Sequence, residues 1–355
     1  MRDKVARENH KNNISAGIRD LFPGYFALVM ATGIISIASY LLGIAWLAWV
    51  LFFINIAAYV VLWVLTIVRL VCYPKNLLGD VTGHVRGPGF FTIVAGTSIL
   101  GNQFVLIVKE LPISIALWFL GMSLWFVLIY TFFLAVSVRD TKPSIDTGLH
   151  GGWLVTVVAT QSIAVLGTLV ASRLGFWQEF LLFFTLVLYL VGCMLYVILI
   201  SLICYRLFFF KLTPESLSPP YWVNMGAVAI TTLAGARLIL AAPQWSFLQD
   251  ILPFLKGFTL FFWSTASWWF ILLILLGFWL HVYKHFPLRY SPQYWSLVFP
   301  LGMYTTSTFV FSQATGLSFM VVISRYMLYV ALFAWVLASF GLVRRIVLTL
   351  RGRKA

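Results

Sequence analysis

The chain is 355 residues long; 62% of it is hydrophobic and 17% aromatic against only 10% charged, with a mean hydropathy of +0.97. A soluble domain carries roughly 25% charged residues, so these proportions exclude one and specify a polytopic, all-α membrane protein. The net charge of +14 is no mark of nucleic-acid binding, because no aromatic–basic module accompanies it.

Spanning the hydrocarbon takes about 20 apolar residues per helix, and ten segments qualify: 22–42, 46–70, 90–108, 113–136, 152–171, 180–208, 222–241, 254–282, 295–311 and 319–343. Residues 22–343 thus read as one ten-helix transmembrane domain, between an N-terminal segment of 1–21 and a basic tail of 344–355. Ile14, Ile18 and Leu21 recur at helical spacing and predict a short interfacial helix ahead of Phe22. No apolar core followed by a cleavage site precedes it, so a secretory signal is not expected.

The segments alternate in composition. The first carries Pro23, Gly24, Phe26, Thr32 and Gly33, whereas the second is Trp, Leu, Phe, Ile and Val almost throughout. The third holds Gly96, Thr97, Ser98, Gly101, Asn102 and Gln103, and the fifth Thr156, Thr160, Gln161, Ser162 and Gly167. The seventh has Asn224, Gly226, Thr231, Thr232 and Gly235, and the ninth Pro300, Gly302 and the run Thr305 to Thr308. The even segments carry few such residues. Lipid tails are apolar, so the greasier set faces lipid while the small, polar set packs inward. Strict alternation implies five helical hairpins, with the odd helices forming an inner ring around a central pore. The pore-lining or kink candidates are Pro23, Phe26, Thr32, Gly33, Gly96, Thr97, Gly101, Thr160, Gln161, Thr231, Thr232, Gly235, Pro300 and Gly302. Close helix packing through small residues, with Ser and Thr bonding their own backbone, accounts for many of them equally well. The alternation is a repeat in composition only; no short sequence repeat is expected.

Lys and Arg cluster before the first helix, in the loops after helices two, four, six and eight, and in the tail. The positive-inside rule therefore puts both termini in the cytoplasm and the chain in the cytoplasmic membrane. Two arginines approach membrane depth. Arg325 suits snorkelling; Arg237, near the outer end of helix seven, either snorkels to the headgroups or faces a vestibule and attracts anions.

All ten acids fall in tails, loops or helix ends, and the five histidines show no metal-ligand spacing. Cys72, Cys193 and Cys204 are too scattered for a disulfide framework or metal site. No cofactor, no metal and no enzyme activity is expected. Proton-coupled carriers usually need a buried ionisable relay, which leaves a passive path for small anions.

FPGYFALVMATGIISIA (22–38), YWVNMGAVAITTLAGARL (221–238) and WSLVFPLGMYTTST (295–308) resemble the first, seventh and ninth helices of the tellurite-resistance/dicarboxylate transporter family. That family includes bacterial tellurite-resistance permeases, fungal malic acid permeases and sulfite efflux proteins, and plant slow anion channels. The resemblance implies a quasi-five-fold bundle, a homotrimer with a pore in each subunit, and a gate formed by a helix-nine phenylalanine, here Phe299. Ala31 replaces a glycine of the fungal motif, so the fungal substrate does not transfer, and the tails are too short for the plant channels' kinase regulation. Phe299 is physically apt: an aromatic ring across a narrow lumen excludes water, and Pro300 beside it bends the helix. In a chain with 32 Phe it is otherwise an ordinary packing residue. The expected function is an anion channel or channel-like transporter passing small anions, four-carbon dicarboxylates such as malate among them, in the lipid bilayer and without nucleic acid. The alternative is a coupled secondary carrier exporting sulfite, tellurite-related species or organic acids.

Overall fold

The computed structural model describes residues 15–350 and contains no strand among them. Ten long helices follow one another: α1 (Ala27–Leu41), α2 (Ala45–Cys72), α3 (Phe91–Gln103), α4 (Leu111–Val138), α5 (Val155–Ala171), α6 (Gln178–Phe209), α7 (Val223–Ala241), α8 (Leu252–Phe278), α9 (Trp295–Thr315) and α10 (Met320–Leu350). Nine of the spans are long and apolar enough to cross a membrane. The exception is α9, diluted by Ser296, Ser307, Ser312, Gln313 and four threonines. Such a helix is stable at membrane depth only when other helices surround it.

They do. α1 packs against α3 and α9, α3 against α5, α5 against α7, and α7 against α9, which closes a ring of five. Each ring helix also lies along its successor in the chain, α1 with α2 and so on to α9 with α10, so the even helices form an outer layer. Burial follows this division. The apolar windows of the first four odd spans are 78% to 94% buried, those of the even spans 17% to 44%. Small residues let the inner helices approach closely: a Cβ added at Gly302 would stand 2.8 Å from Ile34 Cγ2.

Every ring helix begins in the same way. A 3-10 turn that starts on Pro or Gly and ends on an aromatic residue or Leu opens each one, at Pro23–Phe26, Gly87–Phe90, Gly151–Leu154, Pro219–Trp222 and Pro292–Tyr294. Each turn touches the next, and the last touches the first. Proline suits the first helical position because its missing N–H would be unpaired there anyway. Glycine permits the crowding: a Cβ on Gly151 would lie 2.5 Å from the Pro220 carbonyl oxygen. The repeat is thus one of backbone shape at the helix starts as well as of composition.

Two further features concern the ends. α10 runs past 343 through Arg344 and Arg345 to Leu350, since no helix need stop at the hydrocarbon edge. The predicted leading helix is present over 15–19; Ile14 lies outside the described residues. That segment is tied down. Ser15 Oγ and Tyr73 Oη are 2.5 Å apart, and Arg69 Nε donates to the Arg19 carbonyl at 3.0 Å. Asp80, on the short helix Pro74–Val81, accepts from Arg69 at 2.5 Å and pairs with Arg86 at 3.0 Å, while Arg86 also donates to the carbonyl of Leu21.

Candidate functional site: an occluded axis through the helix ring

The five opening turns surround a cavity of about 380 Å³. Gly24, Gly89, Gly152, Ser218 and Ser296 each bring one ring helix to its wall, and Arg86, His150, Glu215 and Gln293 complete it. Because all five helices start here, their positive dipole ends converge on one space. The backbone dipoles at this N-terminal mouth favour negative over positive charge. His150 caps one start. Its Nδ1 accepts from the Gly152 N–H at 3.0 Å, so the proton sits on Nε2, which donates to the Val85 carbonyl at 3.0 Å. Burial holds the His150 imidazolium pKa below the ordinary histidine range; the bond to Val85 opposes this and the nearby Arg206 adds to it.

Toward the opposite end lies a second cavity to which all five ring helices contribute. Its wall is Ile34 and Ile37 of α1, Ile99 and Asn102 of α3, Leu106 just beyond, Val165 and Leu169 of α5, Ile230, Leu233 and Arg237 of α7, and Met303 and Thr306 of α9. It offers only about 10 Å³, at or below the room one water needs, about 10–15 Å³. The path is closed.

Phe299 lies between the two cavities. On α9, Ser296 faces the first cavity and Met303 and Thr306 the second, and Phe299 falls on the same helical face at i+3 and i−4. It is 1% exposed, and its Cε1 stands 3.3 Å from where a Gly226 Cβ would be. Gly226 is in register with Ile230, Leu233 and Arg237 on α7. The phenyl ring thus occupies space that a side chain at Gly226 would need.

The sequence candidates are distributed differently from the expectation. Pro23 is on the rim, its carbonyl accepting from Thr92 at 3.3 Å. Phe26 packs edge-on to Tyr59 and Trp63 of α2. Thr32 accepts from Trp335 Nε1 at 3.0 Å, Thr160 from Trp125 Nε1 at 2.8 Å, and Thr97 Oγ1 is 3.0 Å from Tyr59 Oη. Gln161 donates to the Tyr189 carbonyl at 3.0 Å. Thr231 and Thr232 donate to their own helix, at Ala227 and Val228. Gly33 abuts Ile99 and Asn55, Gly96 abuts Val29, Gly101 abuts Leu166, Gly235 abuts Thr259, Pro300 abuts Gly226, and Gly302 abuts Ile34 and Ile35. None of these except Pro23 is at either mouth, and none lines the two axial cavities.

The reason is electrostatic. Tyr and Trp of the outer helices carry O–H and N–H groups that need partners where water is absent. Threonines of the ring supply them, and Trp263 bonding Thr308 at 2.9 Å repeats the pattern. Hydroxyls therefore join the two layers, and the axis itself is walled mainly by Ile, Leu, Val and Met. Sequence reasoning missed those residues. The available signal was their own spacing, Ile34 with Ile37, Ile99 with Asn102 and Leu106, and Ile230 with Leu233 and Arg237, together with the recurring Gly/Pro–aromatic turns. Arg237, left between two alternatives by the sequence, lines the second cavity.

A closed ring of five helices inside an apolar outer layer defines a multi-pass membrane transport protein. The chain belongs to the voltage-dependent anion channel family, whose model matches residues 20–343. Two uncharacterized transporters of Methanocaldococcus jannaschii are similar to it: one is 26% identical over 338 residues, covering 93% of this chain and 96% of that protein. The other is 26% identical over 299 residues, with coverages of 82% and 83%. An uncharacterized membrane protein of Mycobacterium tuberculosis is 36% identical over 157 residues, 44% of this chain and 79% of the relative.

Proposed function

We propose that the chain is a passive anion channel or channel-like transporter whose axis is gated by Phe299. One observation carries this reading: Phe299 stands in helical register between an anion-attracting mouth and an apolar cavity too small to conduct. An anion at that level loses its hydration and meets a barrier. Displacing the phenyl ring toward the side of α9 joins the two cavities. The mouth formed by the helix starts faces the cytoplasm, because the loops and ends carrying most Lys and Arg lie on that side. The resemblance to the transporter family supports a cytoplasmic-membrane location, assembly as a homotrimer with one path per subunit, and four-carbon dicarboxylates such as malate among the anions carried.

Purified protein in a planar bilayer under an anion gradient tests the reading. Unitary currents whose reversal potential follows the anion gradient support it. A reversal potential that follows the cation gradient overturns it. Saturable, electroneutral uptake in silent bilayers favours the coupled carrier, a reading supported by an axis closed at rest over two successive levels.

A further inference from the structure

The ring helices all run the same way, so the axis ends in five helix C-termini. Backbone dipoles that favour an anion at the first mouth disfavour it at the second. Arg237 stands at that unfavourable end, one turn before α7 finishes at Ala241. Its Nε is buried and donates to nothing, while the side chain as a whole is partly exposed. No Asp or Glu occurs in α1, α3, α5, α7 or α9, and Arg237 has no ion-pair partner among the described residues. Asn102 on α3, 4% exposed, lines the same cavity and its Oδ1 is equally without a partner. An amide presents either its oxygen or its N–H₂ after a flip. One N–H of the guanidinium and one end of the amide left unpaired at an apolar site carry a desolvation cost that a bound anion lowers.

We propose that Arg237 and Asn102 form a binding station for a trigonal oxyanion head, a carboxylate or a nitrate-like ion, at the C-terminal end of the path. The proposal rests on the anion-path reading and adds the shape of the ligand. The guanidinium offers Nε–H and one Nη–H as parallel donors, a fork that matches two oxygens of a planar oxyanion. A spherical halide meets the charge and leaves half of the fork unused. About 10 Å³ does not admit such an ion, so binding is coupled to a widening of the helix ring around Leu106 and Met303, whose side chains are flexible. The ion therefore stabilises the wider arrangement.

Thermal unfolding of the full-length purified protein tests this without any current. Sodium nitrate, compared with sodium chloride at equal ionic strength, is expected to raise the melting temperature of the wild type saturably. Arg237→Lys keeps the charge and loses the fork, so the nitrate-specific rise disappears. Asn102→Asp supplies a carboxylate partner to Arg237; it raises the melting temperature in the absence of added anion and abolishes the nitrate response. In bilayers the nitrate-to-chloride permeability ratio falls severalfold in Arg237→Lys. A wild type stabilised equally by both salts, or an Arg237→Lys variant that keeps the nitrate-specific rise, overturns the station. Currents that follow the cation gradient overturn the anion path alone, since the unfolding measurements decide the station independently.

Discussion

The axis and the seam between the two helix layers are both buried, yet their chemistry is opposite. The seam holds the hydroxyls: Thr32, Thr97, Thr160 and Thr308 bond Tyr or Trp of α10, α2, α4 and α8. The axis holds Ile, Leu, Val and Met around its second cavity, with one arginine near its end, and Phe299 is buried on the same face of α9 as Met303. In a membrane, polar side chains inside a bundle are not by themselves signs of a conducting path. Lipid offers no partners, so polar groups first satisfy one another between helices.

The sharpest way to break the comparison is at the axis. Phe299→Ala is expected to raise anion conductance per folded molecule severalfold in bilayer recordings. Phe311→Ala removes an equally buried side chain of the same helix; it costs about 3–5 kcal/mol of stability and leaves conductance unraised. A Phe299→Ala protein that is folded and no more conductive would move Phe299 to the packing class.

Next comes the clamp beside the first mouth. Asp80→Ala strands Arg69, whose side chain is 3% exposed, and loosens Arg86. Removing one partner of a fully buried pair costs about 3–5 kcal/mol. With Asp80 still 19% exposed, a loss nearer to about 2–3 kcal/mol is expected in chemical or thermal unfolding.

The seam predicts smaller effects. Trp335→Phe removes the donor to Thr32 and is expected to cost about 1 kcal/mol without changing ion selectivity. Adding Thr32→Val to that variant costs little more, because the shared bond is already gone, and a double-mutant cycle measures the coupling. A change of selectivity in either variant would place Thr32 on the path.

The smallest effect is a pH dependence. His150 is held neutral in the folded protein, while the unfolded chain takes up its proton near pH 6.5. His84, lowered in the same direction mainly by burial, adds to it. The unfolded state binds more protons, so this contribution is present above about pH 6.5 and declines as the pH falls through that value. Melting temperatures measured between about pH 7.5 and 5.5 should decline less steeply for His150→Gln than for the wild type.

Much of the fold was legible because lipid reads composition. Segment two against segment three already separates a lipid-facing helix from an enclosed one, and nine of the ten spans pass on apolarity alone. The faces were not legible, because a helix with small polar residues on several sides has no single polar stripe. Thr97 and Ile99 lie two positions apart on α3 and point to opposite layers, the first to Tyr59 and the second to the axis. Only the neighbouring helices decide between them. The opening turns were hidden for another reason: Pro23–Phe26 and Gly151–Leu154 share backbone shape more than residue identity.

The bond from Trp335 to Thr32 joins residues 303 positions apart. A ribosome delivers α1 first and α10 last, so the hydroxyl of Thr32 must wait through the synthesis of nearly the whole chain for its donor. Completion of the outer layer is thus a terminal event of biogenesis. Truncation before α10 would leave the ring closed by α1 and α9 but without the outer helix that covers both of them.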